Sequence, residues 1–381
     1  MDLYHLCLRP NSRTEQEWRN IMSQTGRFHI EEILALAGQA GASDVHLTTG
    51  LPPKMRLNGS LVTVPGFSDA DDRMTGADTQ AALREIMKEE QLRVFEERGE
   101  YDMSFSLKGE GRYRVNAFRQ RGATALALRL VSSRIPSPEQ LGVPASIIDL
   151  YRRKRGLVLV TGPTGSGKST TLAAIIDKVN EYRDAHVITL EDPIEYLHRH
   201  KMSMVNQREI GQDTRSYADA LRAALREDPD VILVGEMRDY ETISVAVTAA
   251  ETGHLVLSTL HTIGAASTVD RVIDVFPPHQ QQQIRVQLSN VLEAVISQQL
   301  IPRADGKGRV AAFEVLHANP AIRNLIREGK THQIPSMMQT GRRQGMITMD
   351  EAIVQLARAG SISRQMAVEF AQNPETMESM I

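Results

Sequence analysis

The sequence predicts an α/β protein of two domains: a small α+β domain, then a P-loop domain on a largely parallel sheet. Three observations carry the prediction. The stretch LVLVTGPTGSGKSTT (157–171) fits G-x-x-x-x-G-K-[ST], in the strand–loop–helix context that the motif requires. From about residue 150, apolar runs at 157–161, 186–190, 231–235 and 255–259 alternate with helical patterns. That alternation predicts a parallel sheet covered on both faces. Residues 28–131 instead combine helical patterns with short alternating strands and an Asn58–Gly59 turn, the signal of antiparallel hairpins.

Taken in order, residues 1–27 are polar and mixed, hold the single tryptophan, Trp18, and read as an N-terminal extension. Ile30, Ile33, Leu34 and Ala37 recur at helical spacing up to Gly38 and Gly41. Val45 and Leu47 alternate with Asp44 and His46, and Met55 and Leu57 alternate likewise. One helix is expected over Ala77–Glu97, then strands over Tyr101–Leu107, Tyr113–Arg119 and Ala123–Leu130. Residues 132–149 carry Pro136, Pro138 and Pro144 among serines and read as a linker. The P-loop core is placed at 150–300. A mainly helical region, with one hairpin around Asp305–Gly306, is placed at 301–381. Within it Asn319 suits an N-cap, Pro320 the first helical position and Gly329 the stop.

Composition narrows the function. The 381 residues are 41% hydrophobic and 24% charged with net charge −3, which allows two or three cored domains and gives no global footprint for nucleic acid. One cysteine, Cys7, excludes an intramolecular disulfide and a cysteine-based zinc site. No run approaches the ~18 apolar residues of a membrane span. The start lacks a basic flank followed by an apolar core, so no signal peptide is expected. A cytoplasmic protein is the expectation.

The chemistry is carried by strand ends. In the loop Gly162, Pro163, Thr164, Gly165, Ser166, Gly167, Lys168, Ser169 and Thr170 form the expected nucleotide-binding set. Its glycines let backbone N–H groups turn inward as a nest for phosphate oxygens, and the following helix adds its positive end. Lys168 is placed on the β- and γ-phosphates, and the Ser169 hydroxyl on Mg²⁺. DVILVGE (230–236) delivers Glu236 at the end of a buried strand, where a carboxylate can hold Mg²⁺ through water or orient the attacking water. VITLEDPIE (187–195) clusters Glu191, Asp192 and Glu195 on a turn that Pro193 enforces. One of these can polarise water in line with the γ-phosphate. His254 and His261 bracket the strand 255–259. His261, on one face with Thr259, is read as a γ-phosphate partner, and His254 as a nucleotide contact.

Arginines form two groups. Arg112 and Arg114 share one strand face, with Arg119 and Arg121 nearby and Arg129 ending the next strand. Such a row is a solvated face, an RNA-binding strand or a phosphate clamp. Arg208, Arg215, Arg222 and Arg226 lie around the helix before Asp230 and read as a solvated helix face, an intersubunit salt-bridge surface or a directly catalytic row.

Together GPTGSGKST (162–170), TLEDPIEY (189–196), DPDVILVGEMRD (228–239) and GHLVLSTLHT (253–262) resemble, in order, the Walker A loop, Asp box, Walker B strand and His box of a known family. It is the ATPases that power type II secretion and type IV pili. ASDVHLTTGLPPKMRLNG (42–59), AIRNLIREGKT (321–331) and SMMQTGRRQGMITMDEA (336–352) are similar to the pilus retraction, twitching-motility group. The tetracysteine insert of many extension and secretion members is absent. The resemblance implies a RecA-like P-loop ATPase domain after a PAS-like N-terminal α+β domain, in a homo-hexameric ring that hydrolyses ATP with Mg²⁺. It implies catalytic Lys168, a first-choice base at Glu195 with Glu191 second, Walker B Glu236, His261, and arginine fingers from Arg112, Arg114 and Arg129. It further implies a cytoplasmic motor, peripheral at the inner membrane through a pilus platform protein, with a paralogous ATPase as a further partner. The charged face of Arg323 and Arg327 is then expected to couple hydrolysis to retraction. An accessory retraction ATPase and a secretion or extension ATPase are the alternatives within the family. A nucleotide-sensing scaffold and a nucleic-acid translocase are the alternatives outside it.

Overall fold

The computed structural model describes residues 28–57, 59–107, 111–131 and 135–381. The extension 1–27 and turn residue Asn58 lie outside them. The chain divides into two compact units that part between Ser132 and Ser133.

In the first unit the elements run α1 (Ile30–Gln39), β1 (Asp44–Leu47), β2 (Lys54–Leu57), β3 (Ser60–Thr63), α2 (Gly76–Ile86), α3 (Glu89–Arg98), β4 (Glu100–Leu107), β5 (Gly111–Gln120) and β6 (Ala123–Val131). The strands pair antiparallel in the order β3-β2-β1-β6-β5-β4. Leu57 pairs with Ser60 across the expected tight turn. Along β5, Tyr113, Val115 and Ala117 are buried, while Arg112 is half-buried and Arg114 exposed, as period two requires. Phe95, Ile30, Ile33 and Leu34 fill the core beneath. The single helix expected over 77–97 is two. Met87 is extended (φ −99°, ψ 141°), and the backbone N–H of Lys88 donates to Gln91 Oε1. A new N-terminus therefore forms inside the run, with Glu89 and Glu90 favourably placed in its first turn. The break lets Leu83, Met87 and Phe95 all reach the same core.

The second unit opens with α4 (Pro138–Leu141), α5 (Ala145–Ile148) and a short 3₁₀ turn, Asp149–Arg152. This stretch was expected to be a bare linker. It instead buries Val143, Ile147 and Leu150 against the underside of the second sheet, and burial of those apolar side chains is what turns it into structure. There follow β7 (Gly156–Thr161), α6 (Lys168–Tyr182), β8 (His186–Glu191), β9 (Met204–Glu209), α7 (Tyr217–Ala224), β10 (Val231–Val234), α8 (Tyr240–Glu251), β11 (Leu255–Leu260), α9 (Ala265–Asp274), α10 (Pro278–Val291), β12 (Leu292–Pro302), β13 (Arg309–His317), α11 (Pro320–Arg327), α12 (Ile334–Thr340), α13 (Met349–Arg358), α14 (Arg364–Phe370) and α15 (Pro374–Met380).

The sheet order is β13-β12-β7-β11-β10-β8-β9. All neighbours are parallel except the β12–β13 hairpin. β7 shows why both faces are covered. Leu157 and Leu159 enter the core on one side and Val158 and Val160 the core on the other. The hairpin around Asp305–Gly306 is present. Its first strand runs beside β7 from Leu292, so the sheet extends to His317 and the C-terminal region is less helical than expected.

Candidate active site

β7, β11, β10 and β8 lie side by side and parallel, so their carboxyl ends form one edge. Ligands of such sheets bind along that edge. The edge opens into a cleft of about 410 Å³ lined by the loop, Glu191, Asp192, Glu195, Tyr217, Glu236, Thr259 and His261.

The loop turns at Gly162 (φ 140°), Gly165 (φ 76°) and Gly167 (φ 89°), conformations that side-chain-bearing residues rarely adopt. Close packing adds a second reason. A Cβ on Gly162 would run into the carbonyl of Gln298, and one on Gly167 would lie 2.9 Å from Gln298 Nε2. Gln298 is buried on β12, and its Oε1 accepts from Thr171 Oγ1 at 2.8 Å. β12 thus braces the loop and the first turn of α6 together. Lys168 Nζ donates to Gly162 O at 2.9 Å and Pro163 O at 3.0 Å. Burial pushes its pKa down, while the Glu195 and Glu236 carboxylates pull the other way. Thr170 Oγ1 bonds Tyr196 Oη at 2.9 Å. Ser166 Oγ is buried with no partner among the described residues.

Glu191 and Glu195 differ sharply. Glu191 Oε1 accepts from Thr189 Oγ1 at 2.6 Å and Gln207 Nε2 at 3.2 Å. Burial pushes its pKa up, against those two bonds. Glu195 is exposed on the cleft wall. Gln207, on the edge strand β9, also donates to Tyr196 O and accepts from His198 N–H. Glu209 accepts from Ile194 N–H. The acidic turn is therefore pinned from β9, and its Asp192–Pro193 peptide is cis.

Glu236 Oε2 lies 2.8 Å from Arg238 Nε and 3.4 Å from His261 Nε2. The structure brings Glu236 and His261 together on the cleft and ties Thr259 Oγ1 to Gly235 O at 2.6 Å. His254 is elsewhere. It precedes β11, its Nδ1 pairs with Ala249 O at 2.9 Å, and it does not line the cleft. Seven residues of extended chain, roughly 23 Å, separate the two histidines. The structure thus does not bring His254, expected as a nucleotide contact, to the cleft that holds His261.

Arg112, Arg114 and Arg129 sit on the first unit. Arg114 and Arg129 are cross-strand neighbours, and Arg129 Nε pairs with Asp44 Oδ1 at 2.8 Å. In the second basic group Arg208 pairs with Glu227, and Arg222 with Glu241 and Asp219. All three are surface salt bridges. Arg323 is also structural. Its guanidinium donates to Ala318 O, Ser289 O, Asn290 O and Glu293 Oε1, so it clasps the C-terminal end of α10.

Residues 27–376 match the family described as Type II/IV secretion system protein. The chain belongs to this family. It is 49% identical over 348 residues to the type IV pilus retraction ATPase PilT of Pseudomonas aeruginosa, across 91% of this chain and 99% of that protein. It is 50% identical over 327 residues to the twitching motility protein of Neisseria gonorrhoeae, across 85% and 86%. A crystal structure of the pilus retraction motor PilT with bound ADP superposes with a TM-score of 0.85 at 49% identity, covering 92% of this chain and 99% of that one. The α/β fold, with a P-loop domain behind an N-terminal domain, is the one expected. In this secretion-family chain the residues that sequence reasoning missed are Gln298, Gln207 and Tyr217. Gln298 and Gln207 reach the site from strands distant in sequence. Tyr217 sits beside an ordinary N-cap signal at Ser216, which marks the helix and not the site.

Proposed function

We propose that this chain is an ATP-hydrolysing motor that works as a homo-hexamer and powers type IV pilus retraction. The observation that supports this most is the convergence of four strand ends on one cleft holding Lys168, Glu195, Glu236 and His261, in a chain whose relatives are named for pilus retraction and twitching.

ATP binds with its phosphates on the backbone N–H groups of 164–169 and the N-terminus of α6. Lys168 then exchanges its bonds to Gly162 O and Pro163 O for phosphate oxygens. The Ser169 hydroxyl and Glu236 carboxylate are oxygen donors on one cleft, and they suit a hard cation such as Mg²⁺. When bound, Mg²⁺ neutralises charge on the β- and γ-phosphates. Glu195 is the base, because it is exposed on the cleft and close enough to Lys168 to shift it. Glu191 is fixed by Thr189 and Gln207 and shapes the turn. His261 contacts Glu236 and the γ-phosphate region. Arg112, Arg114 and Arg129 are the phosphate-clamping arginines, and substituting Gln for Arg114 is expected to lower turnover while leaving the melting temperature within a few degrees. The ring acts on the pilus base through an inner-membrane platform protein. Among the described residues no helix is long and apolar enough to cross a membrane.

The test is phosphate release by the purified chain and by Glu236→Gln, with size-exclusion light scattering on both. Mg²⁺-dependent turnover from a hexamer, lost in the variant while the hexamer persists, is expected. A monomer that binds ATP without turning it over would contradict the motor and favour a nucleotide-sensing scaffold.

A further inference from the structure

Tyr217 is the first residue of α7, behind the N-cap Ser216. Its ring packs partly buried against the main core of the second unit, and its hydroxyl reaches the floor of the cleft. A Cβ built on Gly235 would lie 3.0 Å from Tyr217 Oη, 3.1 Å from Leu190 O and 3.4 Å from Glu191 Cα. The hydroxyl therefore sits in the gap between the ends of β8 and β10, where the acidic turn and the Glu236 strand face each other. The lack of a side chain at Gly235 leaves room for it there.

The surroundings define its chemistry. Burial pushes the phenol's pKa up, and the Glu236, Asp192 and Glu191 carboxylates push it further in the same direction. The hydroxyl is thus protonated throughout the physiological range, a neutral donor set among acceptors. No described residue hydrogen-bonds it, and Tyr217 lines the same cleft as Lys168 and Glu195. Glu236 Oε2 is engaged by Arg238 and His261, which leaves Oε1 as its second acceptor.

We infer that Tyr217 is a water-positioning residue of the hydrolysis site, its O–H donating a hydrogen bond to the attacking water. This rests on the ATPase reading of the cleft. In the step, the water oxygen forms a bond to the γ-phosphorus. The bond from that phosphorus to the β,γ-bridging oxygen breaks, and its electron pair stays on ADP. The proton of the water passes to Glu195, while Tyr217 keeps its own proton. A carboxylate can only accept from the water. The phenol adds a donor that fixes the direction of the lone pair aimed at phosphorus, which is an orientation effect rather than a binding one.

The experiment is Tyr217→Phe, which keeps the ring in the core and removes one oxygen. Steady-state phosphate release, fluorescent-ATP affinity and melting temperature are measured on wild type and variant. The expected result is a kcat lower by about 10- to 100-fold, with KM, nucleotide affinity and melting temperature unchanged. A kcat within twofold of wild type would overturn the inference. So would a loss of kcat matched by a fall in melting temperature and affinity, since that would make Tyr217 structural. A wild-type chain that binds ATP with no turnover would instead remove the ATPase reading itself, and this inference with it.

Discussion

Glu195 and Glu191 stand four residues apart on one turn, and their environments assign them different work. Both line the cleft, but Glu191 is half-buried and held by Thr189 and Gln207, while Glu195 is exposed. Glu195→Gln is expected to cut kcat by roughly 10²–10⁴ with nucleotide affinity kept. Glu191→Gln, which can still accept both hydrogen bonds, is expected to cost less, and phosphate release on the two variants separates them. His198 offers a pH test. Burial lowers its pKa to about 4, with Asp177 acting against the shift and Lys201 with it. A folded pKa below the unfolded value means that the unfolded chain binds more protons between about pH 6.5 and 4. Stability from neutral His198 is therefore present above about pH 6.5 and lost as the pH falls through about 4. Melting temperatures of wild type should fall across that window, and those of His198→Phe should fall less. In the sequence, Glu191, Glu236 and His261 are legible because each sits at or one residue past the end of an apolar run, and Glu195 because the Pro193 turn groups it with Glu191 and Asp192. Their unequal roles are not, since Gln207 reaches Glu191 from another strand.

At the level of elements, local signals were read well wherever chain neighbours make the structure. The loop and α6, the Leu57–Ser60 turn and the Asn319 cap all follow from short-range chemistry. Misreadings arose where distant packing decided. The run 77–97 breaks at Met87 because the core needs it to, and residues 138–152 fold because a sheet lies beneath them. The sequence marks the hairpin turn at Asp305–Gly306 but not how far back its first strand reaches, to Leu292. The place of β12 beside β7 is what lets Gln298 brace the loop. Arg323 is the clearest case. Its helix face looked free to couple hydrolysis to retraction, yet the guanidinium clasps α10 and Glu293. Arg323→Ala is expected to lower stability by about 2 kcal/mol, read as a drop in melting temperature. Exposed Arg327→Ala should stay within about 0.5 kcal/mol. Arg327 is therefore the cleaner probe of the proposed coupling, because its substitution should leave the fold intact.

For the whole molecule, sequence and relatives point the same way. Acidic strand ends around a phosphate nest suit a chain of this family to turn over a nucleotide. In the proposed function this turnover withdraws pili. The direct measurement is single-pilus retraction, by fluorescence imaging of labelled pili, in the native bacterium lacking this gene and re-supplied with wild type or Glu195→Gln. Pili are expected still to extend, retraction events to be lost without the gene and restored by wild type, and Glu195→Gln to leave them lost. Normal retraction frequency and speed in the deletion strain would contradict the proposed function.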